Sequence, residues 1–201
     1  MAQPTHIDTT QARHFVTANG ERLAFITAGN PANPPVLLVH GWTSFMGVWE
    51  NTLPLLAKTH YVVALDLLGH GMSAKPHNGD YSITAQGRRV LALADMLGLT
   101  QFTLVGHSMG GQIALGIAGK FAPERVTRLV AISPAVSSKL TPGSHVIHQL
   151  YRFGRFFHFA APLVALARHN PRTAQALYGR LWFYNLRSLP NSSLSISGRI
   201  A

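Results

Sequence analysis

Ser108 sits in a stretch whose residue types could build a nucleophile: Phe102–Gly111, FTLVGHSMGG. An apolar run from Phe102 to Val105 stops at Gly106. His107, Ser108, Met109, Gly110 and Gly111 follow, and then a helical pattern in Gln112, Ile113, Ala114 and Leu115. The pattern reads as strand, tight turn and helix, with Ser108 at the apex. A side chain two residues to either side of such an apex would strike the opposite limb of the bend. Gly106 and Gly110 occupy those two places, which is the G-x-S-x-G nucleophile elbow. A serine hydroxyl presented this way could attack an acyl carbon. The backbone N–H of Met109, at the start of the following helix, could hold the oxyanion that forms, because the first N–H groups of a helix lack intrahelical partners and lie at its positive end.

Such a turn needs a sheet beneath it. Residues 14–18 and 23–27 are short β-prone runs joined around Asn19-Gly20, a hairpin signal. Val36–Val39 and Tyr61–Leu68 are continuous apolar runs, as expected of strands buried on both faces. Thr43–Lys58 carries apolar residues at helical spacing, with Pro54 a kink or break. Ile83–Leu97 has helical period and ends at Gly98. A helix then runs to Phe121, Pro123 breaks it, and Val126–Ile132 is a further apolar strand. Strands alternating with helices imply an α/β fold with a mainly parallel sheet, helices on both faces, and antiparallel strands at one edge. Ligands bind at the carboxyl ends of such strands. His40-Gly41-Trp42, the loop 69–73 and Ser108 all follow strands and therefore converge on one rim.

Composition bounds the partners. With 47% hydrophobic and 12% charged residues, the 201-residue chain is globular and on the apolar side, long enough for one full core. It has no cysteine, which excludes disulfides and thiolate metal sites. The first fourteen residues lack an apolar signal region and include Asp8, and no stretch approaches the roughly 18 apolar residues of a membrane span. A cytoplasmic protein is the expectation. The net charge of +10 is concentrated in the last third: residues 136–201 hold eight Lys or Arg and no acid, whereas 1–135 hold nine against all seven acids. No recognition motif for nucleic acid accompanies the charge. Arg152, Arg155, Arg168, Arg172, Arg180 and Arg187 fit a solvated outer face better than a membrane-binding one.

His40-Gly41-Trp42, Asp66-Leu67-Leu68-Gly69-His70-Gly71-Met72-Ser73 and Gly106-His107-Ser108-Met109-Gly110-Gly111 together resemble the α/β-hydrolase family, over about residues 13–135. The resemblance implies a serine hydrolase that forms an acyl-enzyme on Ser108 from a small, mainly apolar ester, thioester or carbon–carbon-bond substrate, without cofactor or metal. It implies a second oxyanion donor in the loop after Gly41, most simply the N–H of Trp42. It gives His70 and Asp66 structural roles in their loop, and His107 is expected to pack and hydrogen-bond beneath the turn. Residues 1–135 would be the N-terminal part of the hydrolase core, 136–190 a helical cap, and 191–201 a loop or the start of a return to the core.

The family's order is Ser, then Asp or Glu, then His. After Ser108 the only acid is Glu124, in a solvated turn at the wrong end of the sheet. His145, His148, His158 and His169 stand beside no carboxylate. The triad acid and histidine are thus unassigned, and Val126–Ile132 is expected to be an exposed sheet edge. These features fit an incomplete copy of a longer hydrolase with little or no turnover. The alternatives are a non-catalytic binding protein that retains the pocket and a truncated gene product.

Overall fold

The computed structural model describes residues 12–17, 19–134 and 136, all within Met1–Val136, the first of two compact units into which the chain divides. The cap and return read over 136–201 lie outside the described residues, Val136 apart. The later histidines lie outside them too.

The hairpin forms where the Asn-Gly pair predicts it. Strands β1 (Arg13–Val16) and β2 (Arg22–Ala28) pair antiparallel, with Val16 opposite Arg22. Gly20 takes φ +79° in the turn, a conformation that costs glycine little because it has no Cβ. Strands β3 (Pro35–Val39), β4 (Tyr61–Leu65), β5 (Phe102–His107) and β6 (Val126–Ile132) complete a sheet of order β1-β2-β4-β3-β5-β6. The last four strands run parallel, and β2 joins β4 antiparallel.

Helices cover both faces, and the strand pleat decides which residue meets which cover. Leu37 and Val39 of β3 pack in a core with Val90, Leu93, Ile113 and Ile117. Val36 and Leu38 face the other way, onto Met46, Trp49 and Leu53. Leu37, Leu38 and Val39 are wholly buried, each stabilising the fold by about 1.5–3 kcal/mol. The helix α2 (Ile83–Met96) is capped by Ser82, whose Oγ accepts the Ala85 N–H at 3.2 Å, and ends before Gly98 at φ +69°.

Four boundaries differ from expectation. Residues 43–58 form no single helix: a 3-10 turn over Met46–Trp49 is followed by a short α1 (Leu53–Leu56). Pro54 stands in the first turn of α1, where its missing N–H costs nothing, so it restarts the helix rather than kinking it. Strand β4 ends at Leu65. The Asp66 N–H still reaches the carbonyl of Ala24 across the ladder, but Ser73 Oγ takes the Asp66 carbonyl and the Ala24 N–H, and the Leu67 N–H goes to a side chain. Strand β5 runs on through His107. Helix α3 (Met109–Gly116) widens into a π turn over Ile117–Phe121, with the Ala122 N–H reaching Ile117 O. The Phe121 ring lies against Gly87 and Gly116, where added methyls would stand 3.3 and 3.1 Å from it.

The register gathers the rim. Val39 pairs with Leu65 on one side and Gly106 on the other, and His107 pairs with Ile132. The carboxyl ends of β3, β4, β5 and β6 therefore lie level. Among the described residues β6 is an edge, with Leu129, Val130 and Ile132 exposed.

Candidate active site

The bend at Ser108 is as tight as its glycines imply. Ser108 takes φ +53° and ψ −117°, a strained region for a residue with a side chain, worth about 1–3 kcal/mol. A methyl on Gly106 would stand 2.2 Å from the carbonyl oxygen of Gly110, across the bend. The second glycine answers a different neighbour. A methyl on Gly110 would meet the carbonyl oxygens of Val39 and His40 at 2.3 and 2.5 Å, so Gly110 lets α3 rest on the end of β3. The Ser108 N–H donates to Ile132 O at 2.9 Å, and its carbonyl accepts the Gln112 N–H at 3.1 Å. Both limbs of the bend are thus held, and the side chain is left half-buried at the rim.

The loop after β3 closes on that serine. A methyl on Gly41 would be 3.1 Å from Ser108 Cβ and 3.2 Å from His107 Nδ1, so the glycine brings backbone against the elbow. Trp42, next along, is 42% exposed. Thr43 takes φ +53°, a second strained residue on the rim. No signal in the sequence marks it, since a β-branched residue is among the last to be expected there.

Beneath the loop lies a buried polar cluster. The Asp66 carboxylate accepts the Met46 N–H on Oδ1 at 2.6 Å and the Met72 N–H on Oδ2 at 2.7 Å. One side chain thus ties the loop after β3 to the loop after β4. Burial raises its pKa, and the two amides oppose that rise. A Cβ on Gly71 would overlap the carboxylate at 2.0 Å, which explains a glycine there. Ser73 Oγ donates to Asp66 O at 2.6 Å and accepts the Ala24 N–H at 2.9 Å, carrying the tie into β2.

His40 is completely buried. Its Nε2 faces the Leu67 N–H at 3.1 Å and its Nδ1 faces the Gly41 carbonyl at 2.7 Å. An amide can only donate and a carbonyl can only accept, so the proton is on Nδ1. The ring is neutral: burial lowers its pKa to about 3, against the hydrogen bond to Gly41. Asp66 Oδ1, 4.0 Å from Nε2, therefore forms no ion pair with it. His70 lies beside it, ring centres 5.2 Å apart, with Nδ1 donating to Leu68 O at 3.1 Å. Both rings have structural partners and neither is placed as a base.

His107 is exposed, not packed beneath the turn. Strand β5 continues one residue further than expected, and the pleat that buries Gly106 turns His107 outward. Met109 opens α3, as read from the sequence. Glu124 lies in the exposed turn before β6, whose first residue pairs with Phe102 at the opposite end of the sheet from Ser108. An open cleft of about 630 Å³ lined by Thr17, Glu21, Asp80, Arg88 and Arg89 contains no residue of the His40–Trp42, 69–73 or 106–111 segments. Among the described residues no helix is long and apolar enough to cross a membrane.

Sheet order, rim and elbow define a fold class, and comparison with known proteins gives it a name. The family model for the alpha/beta hydrolase fold matches residues 34–197; the chain belongs to that family. It is 40% identical over 119 residues to an uncharacterised protein of Mycobacterium tuberculosis, a match covering 59% of this chain and 34% of that protein. It is 37% identical over 124 residues to a cis-3-alkyl-4-alkyloxetan-2-one decarboxylase of Shewanella oneidensis, covering 60% and 38% of the two chains. Among solved structures, the ligand-free epoxide hydrolase CorEH superposes with a TM-score of 0.72 at 26% identity, over 94% of this chain and 67% of that one. The matches to these two sequence relatives thus span little more than a third of their lengths.

Proposed function

We propose that the protein is a serine hydrolase of this family, acting on a small, mainly apolar ester, thioester or related carbon–carbon-bond substrate through an acyl-enzyme on Ser108. The observation that carries the reading is the bend itself: a strained serine at the level carboxyl ends of four parallel strands, opening a helix. In the first step the Ser108 Oγ–acyl carbon bond forms and the Oγ proton passes to a base. The bond to the leaving group then breaks, and that group takes a proton. Water next attacks the acyl carbon, the Oγ–carbon bond breaks, and Oγ recovers a proton. The N–H groups of Met109 and Trp42 are the proposed oxyanion donors, each worth about 3–4 kcal/mol of transition-state stabilisation. We further propose that residues 136–190 serve as the cap segment of this fold.

Serine at position 108 separates the chain from relatives of this fold that attack with aspartate, so epoxide opening through such a nucleophile is not the reaction proposed. The acid and base that would activate Ser108 are unassigned, since Asp66 is committed to Met46 and Met72, and Glu124 lies at the opposite end of the sheet. That observation favours a second reading, a binding protein that keeps the hydrolase pocket. A fluorophosphonate probe separates the two. Stoichiometric labelling at Ser108, abolished by Ser108→Ala, supports the hydrolase; a folded chain that binds acyl ligands and does not label supports the binding protein. For the 201-residue chain alone we expect turnover far below the usual range of about 1–10³ per second.

A further inference from the structure

We infer that His40 is a positioning residue whose Nδ1–H, held on the carbonyl of Gly41, fixes the direction of the Trp42 N–H beside Ser108. The inference rests on the oxyanion role proposed for Trp42 and gives it a physical cause. A trans peptide sets its C=O and N–H antiparallel, and the described residues contain no cis bond. Whatever orients the Gly41 carbonyl therefore orients the Trp42 amide. That carbonyl points to the imidazole, 2.7 Å from Nδ1, so the Trp42 N–H points away from the ring.

The ring cannot turn over without penalty. Nε2 must remain an acceptor for the Leu67 N–H, 3.1 Å away at the end of β4. A flipped ring would set carbon against both the Leu67 N–H and the Gly41 carbonyl. An Nε2–H tautomer or a protonated ring would set an N–H against the Leu67 N–H, in a place without access to solvent. The neighbouring Gly41 backbone, packed on Ser108 Cβ, and the Met46 N–H, held by Asp66, fix the loop on either side. His40 thereby joins the end of β4 to the peptide that follows β3. A preorganised donor stabilises an oxyanion because it does not have to reorient during the reaction.

Two substitutions divide the ring's functions. The side-chain nitrogen of Asn can replace Nδ1 as donor to Gly41, and loses the acceptor for Leu67. The side-chain oxygen of Gln can replace Nε2 as acceptor, and loses the donor to Gly41. Each variant forfeits one buried hydrogen bond, so a merely structural role predicts equal damage. Positioning predicts that fluorophosphonate labelling of Ser108 falls at least about thirtyfold in His40→Gln and no more than about threefold in His40→Asn, since removing one oxyanion donor costs about 10²–10³ in rate. The same pair is read by NMR without any reaction: the Trp42 amide resonance should shift in His40→Gln and stay near its native position in His40→Asn. Equal responses in the two variants overturn the inference. Should either variant fail to fold, nitrogen shifts of His40 in the native chain decide, the Nδ1–H form supporting the inference and the Nε2–H form overturning it. A native chain that does not label at Ser108 overturns the hydrolase reading alone, and the Trp42 and His40 resonances still judge the wiring.

Discussion

Gly41 and Ser108 stand so close that a single methyl on the glycine would lie 3.1 Å from the serine Cβ. That is tighter than ordinary van der Waals contact, so Gly41→Ala must move either the loop or the elbow by a few tenths of an ångström. We expect Tm to fall only slightly and the labelling rate of Ser108 to fall about tenfold or more, since sub-ångström misplacement at a reacting centre is expensive. Unchanged labelling in a folded Gly41→Ala chain would remove the loop from the site.

Gly110 tolerates less. Its Cβ would lie 2.3 and 2.5 Å from two backbone oxygens, which cannot rotate aside as a side chain could. Gly110→Ala is expected to cost more than about 3 kcal/mol, as overpacking against fixed backbone does, and to yield little folded protein. Gly119 is the control: nothing lies within 4 Å of the Cβ it would gain. Thermal melts of the two alanine variants should differ by more than about 6 °C.

Asp66→Asn keeps the shape of a buried side chain and halves its accepting capacity. The new amide nitrogen must face either Met46 N–H or Met72 N–H, donor against donor. An unsatisfied buried donor costs about 1–3 kcal/mol, and here the loss falls on two loops that share one carboxylate. Amide hydrogen exchange should quicken at Met46 and Met72 well before it does in the core strands. Uniform quickening across the sheet would show a global effect instead.

Acid should weaken the attachment of the hairpin to α2. Arg89 Nε donates to Glu21 Oε2 at 2.7 Å, its Nη2 to Oε1, and its Nη1 to Asp80 O at 2.7 Å. The hydrogen bond from Arg89 holds the Glu21 pKa below its ordinary 4.5. A depressed carboxyl contributes stability above its unfolded pKa and loses it as pH falls through the folded value. Glu21→Gln should therefore cost about 1–3 kcal/mol near neutral pH, and the gap to the native chain should close as pH drops below 4.5. A gap that stays constant under acid titration of the two melts would show that the charge on Glu21 contributes nothing.

The sequence made legible what local chemistry decides. Asn19-Gly20 announced its hairpin because few residues other than glycine accept the backbone it needs. The apolar runs at Val36–Val39 and Phe102–Val105 announced strands buried on both faces, and Gly106 and Gly110 announced the elbow. What escaped reading depends on partners distant in the chain. Nothing near Asp66 tells that its carboxylate spans from Met46 to Met72, and nothing near His40 tells that Leu67 and Gly41 fix its tautomer. Pro54 looked like a break and proved to be a beginning, because a proline ends one helix and starts another with the same chemistry. His107 was expected beneath the turn and lies exposed, a reversal that follows from one extra residue of strand. The elbow pattern marks Gly110 as needing no side chain, but the neighbours that require this are the carbonyls of Val39 and His40 rather than the opposite limb of the bend.

The carbonyls of Val39 and His40 that bar a side chain from Gly110 also set where variation can enter. An insertion between Val39 and Gly41 would lift α3 and the serine together with the loop, so segment length there is pinned by the elbow's own geometry. The Met72 side chain, 42% exposed, meets no such bar, while its backbone stays anchored through Asp66. Position 72 can thus be exchanged over an unchanged backbone, and Met72 variants are expected to melt at the native Tm.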